Sequence, residues 1–191
     1  MTSLRYYFAA FVFLVIAFLV QWLVVVPLQG ALFPSVNFSL SHLISVPFGA
    51  GLVIVLMMGF KGLPVVILGK VFLETSLMDV APMEAVIHGL HDGAALLLAL
   101  LATAYMLRRD LKHGLLMQSV CASTLVRQAF FMTIMASLID GVLHASINLG
   151  SAEATLPLRY LMSHLLGGAS LFAVLYLLRF KLSQWVTVKD A

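Results

Sequence analysis

Two groups of acidic, imidazole and amide side chains occur at helical spacing in an otherwise apolar chain. The first group is Glu84, His88, His91 and Asp92, and the second is Asp140, His144 and Asn148. Residues three, four, seven or eight positions apart lie on one face of an α-helix. Each group therefore predicts a polar stripe that carries both carboxylate and imidazole.

Imidazole and carboxylate side chains together could do several kinds of chemistry. They suit zinc, iron, copper or nickel, and we assign His88, Asp92, Asp140, His144 and His164 as candidate metal ligands. They also suit a proton relay, a pocket for a polar ligand, or a haem site. A further alternative is purely structural, in which the same groups form hydrogen bonds and ion pairs between helices. The chain has no H-E-x-x-H motif that would favour a zinc protease.

The composition indicates that membrane helices carry these stripes. The chain has 191 residues, of which 62% are hydrophobic and 10% are charged, and its mean hydropathy is +1.08. A soluble domain is roughly half apolar and a quarter charged. The chain therefore predicts an all-α, polytopic membrane helix bundle, in which no soluble catalytic or output domain fits. A net charge of +3 is no signal for nucleic-acid binding.

Hydrophobic runs and their proline starts predict about six transmembrane helices in a single domain that covers 1–191. The predicted spans are about 7–28, 40–60, 63–79, 82–107, 115–149 and 157–179. Pro64, Pro82 and Pro157 lie in the first turns of their helices, where a missing N–H costs nothing. The segment 115–149 is too long for one straight span, so its first part predicts an interfacial helix or a tilted extension.

The basic residues predict the topology, because Lys and Arg concentrate on the cytoplasmic side of a membrane protein. With both termini cytoplasmic, nine basic residues fall on the inner side. They are Arg5, Lys61, Arg108, Arg109, Lys112, Arg127, Arg179, Lys181 and Lys189. Only Arg159 falls on the outer side, and Lys70 lies within a helix.

This topology places both stripes in the outer half of the bundle, on antiparallel neighbouring helices. Counted inward, Asn148 matches Glu84 in depth, His144 matches His88, and Asp140 matches Asp92. Ionisable groups within a membrane face protein or water rather than lipid. We therefore expect a polar pocket open to the outer side, with further walls from His164, His42 and Glu74. Lys70 lies one helical turn from Glu74, and we expect these two to pair.

The run "VPFGAGLVIVLMMGFKGLPVVILGKVFLE" (46–74) resembles the early part of the membrane-associated sensor domain of the first MASE class. Its Gly, Pro and Lys residues occupy positions similar to those in that domain. The runs "EAVIHGLHDGAALLLALLATAYMLRRD", "LVRQAFFMTIMASLIDGVLHASINLG" and "LMSHLLGGASLFAVLYLLR" resemble the helices that follow. The resemblance implies a bacterial inner-membrane sensory module. That family usually carries a cytoplasmic output domain, whereas this chain stops soon after the sixth helix, so signalling would need a separate partner.

Three functions remain open. The leading one is a non-enzymatic sensor or accessory subunit of the bacterial inner membrane, which binds something in the outer pocket and acts through a membrane or signalling partner. The second is a small-solute or ion-binding subunit of a transporter. The third is a zinc-dependent intramembrane hydrolase. The lipid bilayer is a partner in all three cases, and the patterns Gly89–Gly93 and Gly167–Gly168 suit close helix packing or a homo-oligomer.

Overall fold

The structure is a computed structural model that describes residues 2–34, 43–108, 122–147 and 156–187. The described residues form helices and short connections, with no strand among them. The helices are α1 (Thr2–Val20), α2 (Val26–Leu32), α3 (Val46–Met58), α4 (Leu63–Leu77), α5 (Pro82–Leu107), α6 (Ala122–Ile147) and α7 (Leu156–Thr187). The all-helical prediction is confirmed for these residues.

A π-helical turn, Gln21–Val25, joins α1 to α2 into one apolar rod. Pro27 lies in the first turn of α2 and has no N–H to donate back to the preceding turn. A π turn is one of the ways in which a helix absorbs such a defect. The first predicted helix, 7–28, is therefore extended at both ends and contains a local irregularity at Gln21.

The helices α3 and α4 form a hairpin around a 3₁₀ turn, Gly59–Gly62. Gly59 has a φ of 61°, a conformation that favours glycine. A Cβ atom at Gly62 would lie 2.9 Å from the carbonyl oxygen of Ile54, so the chain turns back directly onto α3. The helix α3 begins at Val46 rather than near residue 40, because Ser45 is extended and Pro47 occupies the first turn.

The contacts between helices fix their directions. The backbone N–H of Ser45 donates to the carbonyl of Ser163 at 3.1 Å, and Gly49 lies against Gly167. A step of four residues along α3, from Ser45 to Gly49, corresponds to a step of four residues in the same direction along α7, from Ser163 to Gly167. The helices α3 and α7 are therefore parallel neighbours. Contacts of Lys70 with Asp92 and of Glu74 with His88 show that α4 and α5 are antiparallel. Contacts of Gly168 with Thr133 and of His164 with Asp140 show the same for α6 and α7.

The consequence is an alternation of helix direction along the chain. We call the end at which α3, α5 and α7 begin the upper end, and the opposite end the lower end. The beginning of α1 and the end of α7 both lie toward the lower end, as do Arg5, Lys61, Arg108 and Arg127. This arrangement agrees with the predicted clustering of basic residues on one side.

Three stretches are long and apolar enough to cross a membrane: Leu4–Leu32, Val46–Leu77 and Pro82–Leu107. The second includes the reversal at Gly59–Gly62, so it is a pair of shorter helices rather than one straight rod. The coarse prediction of a membrane-type helix bundle thus holds. The six crossings and the cytoplasmic placement of both termini stay predictions.

The lower half of the bundle has an apolar core. Its fully buried members include Leu52, Leu56, Leu96, Leu100 and Met132, from three different helices. On α5, a Cβ atom at Gly93 would lie 2.5 Å from the side chain of Ile67 on α4. The glycine pattern of α5 therefore serves close packing within the chain.

Candidate functional site: a charged pocket at the upper end

The upper end encloses a cavity of about 200 Å³, which we call the Lys70 pocket. At roughly 30 Å³ for each water molecule, the cavity has room for about six waters or a solute of that size. Its walls come from α1 and the π turn, the beginning of α3, the upper part of α4, and the first turns of α5 and α7. The lining residues are Phe18, Gln21, Trp22, Ser45, Pro47, Phe48, Lys70, Glu74, Met78, Val80, His88, Asp92, Tyr160, Ser163 and His164.

Lys70 is held between two carboxylates. Its Nζ lies 2.5 Å from Oδ2 of Asp92 and 3.6 Å from Oε1 of Glu74. The side chain of Lys70 is 18% exposed, and those of Asp92 and Glu74 are 9% and 8% exposed. A buried ammonium is tolerated when it is paired and hydrogen-bonded. Here one carboxylate comes from the same helix, one turn away, and the other comes from α5.

A chain of polar contacts continues from Glu74 toward the opening of the pocket. The second carboxylate oxygen of Glu74 lies 3.0 Å from Nδ1 of His88. On its other side, Nε2 of His88 lies 3.9 Å from Glu84, whose side chain is 62% exposed. His88 therefore connects a buried carboxylate to one at the edge of the pocket.

A second imidazole–carboxylate pair lies on the opposite wall. Nδ1 of His164 lies 2.8 Å from Oδ2 of Asp140, and the side chain of Asp140 is fully buried. The two atoms are in close contact without the alignment of a hydrogen bond. The ring of His164 stacks on Phe48 of α3, with centroids 3.8 Å apart and planes 7° apart. Asp140 lies near enough to Lys70 to interact with it electrostatically.

Two glutamines attach the beginning of α3 to the α1–α2 rod. Oε1 of Gln21 accepts the N–H of Val46 at 2.9 Å, and Oε1 of Gln29 accepts the N–H of Leu43 at 3.2 Å. The N–H of Val46 is one of the first N–H groups of α3, which have no partner within their own helix. Gln21 thus caps α3 from a neighbouring helix. Its Nε2 is buried and has no acceptor among the residues that the structure describes.

The structure places part of the predicted α5 stripe against α4, a neighbour that the sequence pattern did not assign to it. The predicted matching of this stripe with α6 involves His144 and Asn148, which the described side chains do not include, and stays a prediction. His88 and Asp92 lie against Glu74 and Lys70, while Glu84 remains at the edge. His91 is buried and does not contribute to the pocket wall. Of the α6 stripe, Asp140 is placed on His164.

Three predicted wall residues are not characterised by the structure. Asn148 and His42 lie outside the described residues, and of His144 only the backbone, within α6, is described. Their roles stay predictions.

The predicted pairing of Lys70 with Glu74 is present, but the closer partner of Lys70, Asp92, was missed. The sequence contained a usable signal for it. The connection between α4 and α5 is short, so residues equally far from it lie at equal depth. Counting from this turn matches Lys70 with Asp92 and Glu74 with His88. The role of Gln21 carried no such signal, because its partner Val46 belongs to a helix that begins inside the bundle.

A metal site of three or more side-chain ligands is not assembled by the described residues, whereas the haem alternative stays a prediction. Within them, no group of three His, Cys, Asp or Glu side chains is arranged to hold a metal ion. His88, Asp92 and His164 instead contact Glu74, Lys70 and Asp140 respectively. The metal prediction also includes His144, whose side chain lies outside the described part of the chain, so it stays a prediction.

No known family model matches the chain, and no curated protein or solved structure is similar enough to match it. The resemblance to the membrane-associated sensor domain therefore stays a prediction, and the site has to be interpreted from its own geometry.

Proposed function

We propose that this protein is a non-catalytic sensor or accessory subunit of a bacterial inner membrane, which binds a small polar ligand in the Lys70 pocket. The observation that carries this proposal is a cavity at one end of an apolar bundle, lined by an ammonium and two carboxylates. Ionisable groups within a membrane protein are costly and usually mark a functional site. A purely structural ion pair needs no cavity beside it.

Membrane orientation follows from the same reasoning. We propose six crossings, with both termini cytoplasmic and the upper end facing outward. The support is the alternation of helix direction together with the concentration of Arg5, Lys61, Arg108 and Arg127 at the lower end. The Lys70 pocket then opens toward the outer side of the membrane, where an external solute would reach it.

The proposed response is a change in packing between the helices that share the pocket. A ligand shifts a conformational equilibrium only by as much as it prefers one state over the other. The pocket is bordered by α1, α3, α4, α5 and α7, so a ligand that prefers one arrangement of their upper ends would shift all of them. In this proposal, a separate membrane-embedded partner detects the change through its contacts with these helices.

A second candidate, the solute-binding subunit of a transporter, is favoured by the geometry of α3. This helix has 13 residues, or about 20 Å at 1.5 Å per residue, against roughly 30 Å for a bilayer core. Its first turn lies beside Gln21, within the bundle, and forms part of the pocket wall. Helices that begin at membrane depth and present their N-terminal ends to a substrate are typical of transporters.

Purification in mild detergent from the native membrane tests the proposal and separates the two candidates. The proteins that purify with the full chain are identified, and the activity of that partner is compared between the wild type and the pair variant Lys70→Met/Asp92→Leu. We expect a stoichiometric membrane partner in both samples and an altered partner activity only in the variant. A kinase or cyclase partner supports sensing, and an ATP-driven motor with lost uptake supports transport.

The matched control is Lys61→Met, which removes a lysine from the exposed turn between α3 and α4. It should leave partner activity unchanged. A partner whose activity is the same in the wild type and the pair variant would contradict the proposed function.

A further inference from the structure

We infer that the ligand of the Lys70 pocket is a small organic ammonium compound that also carries a hydrogen-bond acceptor. This inference rests on the proposed function and specifies the chemistry of its ligand. It depends on two independent features of the pocket: the balance of fixed charges, and a buried amide donor on the wall.

The fixed charges favour a cation. One ammonium, that of Lys70, faces the carboxylates of Glu74 and Asp92, and Asp140 lies within electrostatic reach. Among the described wall residues, the only other ionisable groups, apart from the Tyr160 hydroxyl, are the imidazoles of His88 and His164. When both imidazoles are neutral, the carboxylates outnumber the one ammonium. In a medium of low polarity, such an excess attracts positive charge far more strongly than it would in water.

The shape of the wall favours an organic cation. Aromatic rings of Phe18, Trp22, Phe48 and Tyr160 line the cavity beside the carboxylates. Ammonium groups are attracted to the faces of aromatic rings as well as to carboxylates. A cavity of about 200 Å³ is also much larger than a bare alkali-metal ion requires.

Gln21 adds the requirement for an acceptor. Its side chain is 2% exposed and lines the pocket. Because Oε1 already accepts the N–H of Val46, the orientation of the amide is fixed and Nε2 is left as a donor. No described residue accepts from it. With a small shift of the amide toward the cavity, an oxygen atom of a ligand would satisfy this donor while the ammonium lies against the carboxylates.

Four small probes of matched size separate these requirements. They are 2-methoxyethylammonium (cation with acceptor), butylammonium (cation without acceptor), 1,2-dimethoxyethane (neutral with acceptors) and methoxyacetate (anion with acceptor). Trp22 on the pocket wall is the reporter, because Trp185 is the only other tryptophan and can be replaced in a Trp185→Phe protein. The measurement is a titration of Trp22 fluorescence on the full chain in detergent micelles. A Trp22→Phe protein that keeps Trp185 controls for partitioning into the micelle.

We expect 2-methoxyethylammonium to bind about tenfold more tightly than butylammonium, because one buried hydrogen bond usually contributes about this factor to the affinity. Dimethoxyethane and methoxyacetate should bind at least tenfold more weakly than 2-methoxyethylammonium. In the Asp92→Asn protein, binding of 2-methoxyethylammonium should weaken by about tenfold or more, because a charge-assisted contact is lost.

Each alternative result overturns a stated part of the inference. Tightest binding of methoxyacetate would show an anion site centred on Lys70. Equal binding of the two ammonium probes would remove the acceptor requirement. An equal response to sodium or potassium chloride would show a simple cation site. If no probe changes Trp22 emission, the ligand class is wrong, whereas the proposed function fails only if partner activity is insensitive to the pocket variant.

Discussion

The two halves of the helix α5 differ sharply, although they lie in one continuous helix. The first half carries Glu84 at the exposed edge, and His88 and Asp92, which contact Glu74 and Lys70 of α4. The second half buries Leu96 and Leu100 completely in the apolar core of the lower end.

The lower half is built in the manner of an ordinary helix-packing core, with small residues where helices approach and leucines between them. The upper half has a cavity where such a core would have side chains, and buried charges where it would have methyl groups. Buried ion pairs seldom stabilise a protein more than well-packed apolar residues would. The apolar packing of the lower half favours a stabilising role there, and the charged cavity of the upper half is the site of the proposed ligand binding.

The largest expected effect comes from the backbone contact between α3 and α7, which lies at the upper end beside the Lys70 pocket. A Cβ atom at Gly167 would collide with the backbone carbonyl of Ser45, which also accepts the N–H of Gly49. We expect Gly167→Leu to cost about 4 kcal/mol or more of unfolding free energy, or to prevent folding. Denaturant titration in detergent measures it. Gly30→Ala is the control, because a Cβ atom there meets nothing within 4 Å, and equal losses in both would contradict the packing account.

Removal of Lys70 alone should be the next most damaging change. Lys70→Met leaves Asp92 and Glu74 buried without their common cation, and an uncompensated buried charge costs about 3 kcal/mol. The same titration measures the loss. The exposed Lys61→Met serves as the matched control and should cost almost nothing. If Lys70→Met and Lys61→Met lower the unfolding free energy by the same amount, the charges of the upper half are fully hydrated.

A cavity in the lower half should have a smaller but clear effect. Leu100 is 1% exposed, whereas its neighbour Leu101 is 39% exposed. Leu100→Ala should lose about 2 kcal/mol, because the packing contacts of the side chain are not replaced. Leu101→Ala should lose much less, and partner activity should survive in both proteins. If folded Leu100→Ala protein loses partner activity, the lower half also takes part in function, which would contradict the division between the halves.

The smallest effect is expected at the edge of the pocket. The exposed Glu84 lies 3.9 Å from His88, so Glu84→Gln should change the unfolding free energy by less than about 0.5 kcal/mol. Thermal unfolding of the wild type and the Glu84→Gln protein, compared under the same conditions, measures this difference in stability. A loss comparable to that of Lys70→Met would place Glu84 in the buried network and extend the charged region.

The sequence predicted the helical class, the proline starts of α4 and α5, and the clustering of polar residues at one end of the bundle. These features depend on local patterns or on the order of neighbouring helices. The partners of Lys70 and His88 could have been found by counting from the short turn between α4 and α5.

The remaining features depend on contacts that no local pattern encodes. The parallel contact of α3 with α7 joins Ser45 to Ser163, which are far apart in the chain. The capping of Val46 by Gln21 depends on where α3 begins within the bundle. The stacking of His164 on Phe48 follows from the same contact between helices.

The central claim is that the charges of the upper half bind a ligand rather than hold the bundle together. The most direct measurement is the unfolding free energy, in detergent, of a protein stripped of the network around Lys70: Lys70→Met, Glu74→Met and Asp92→Leu together. We predict a value equal to or above that of the wild type, because complete replacement of buried ion pairs by apolar groups is neutral or stabilising. A loss of about 3 kcal/mol or more would contradict the claim, since it would show that these charges hold the helices in place.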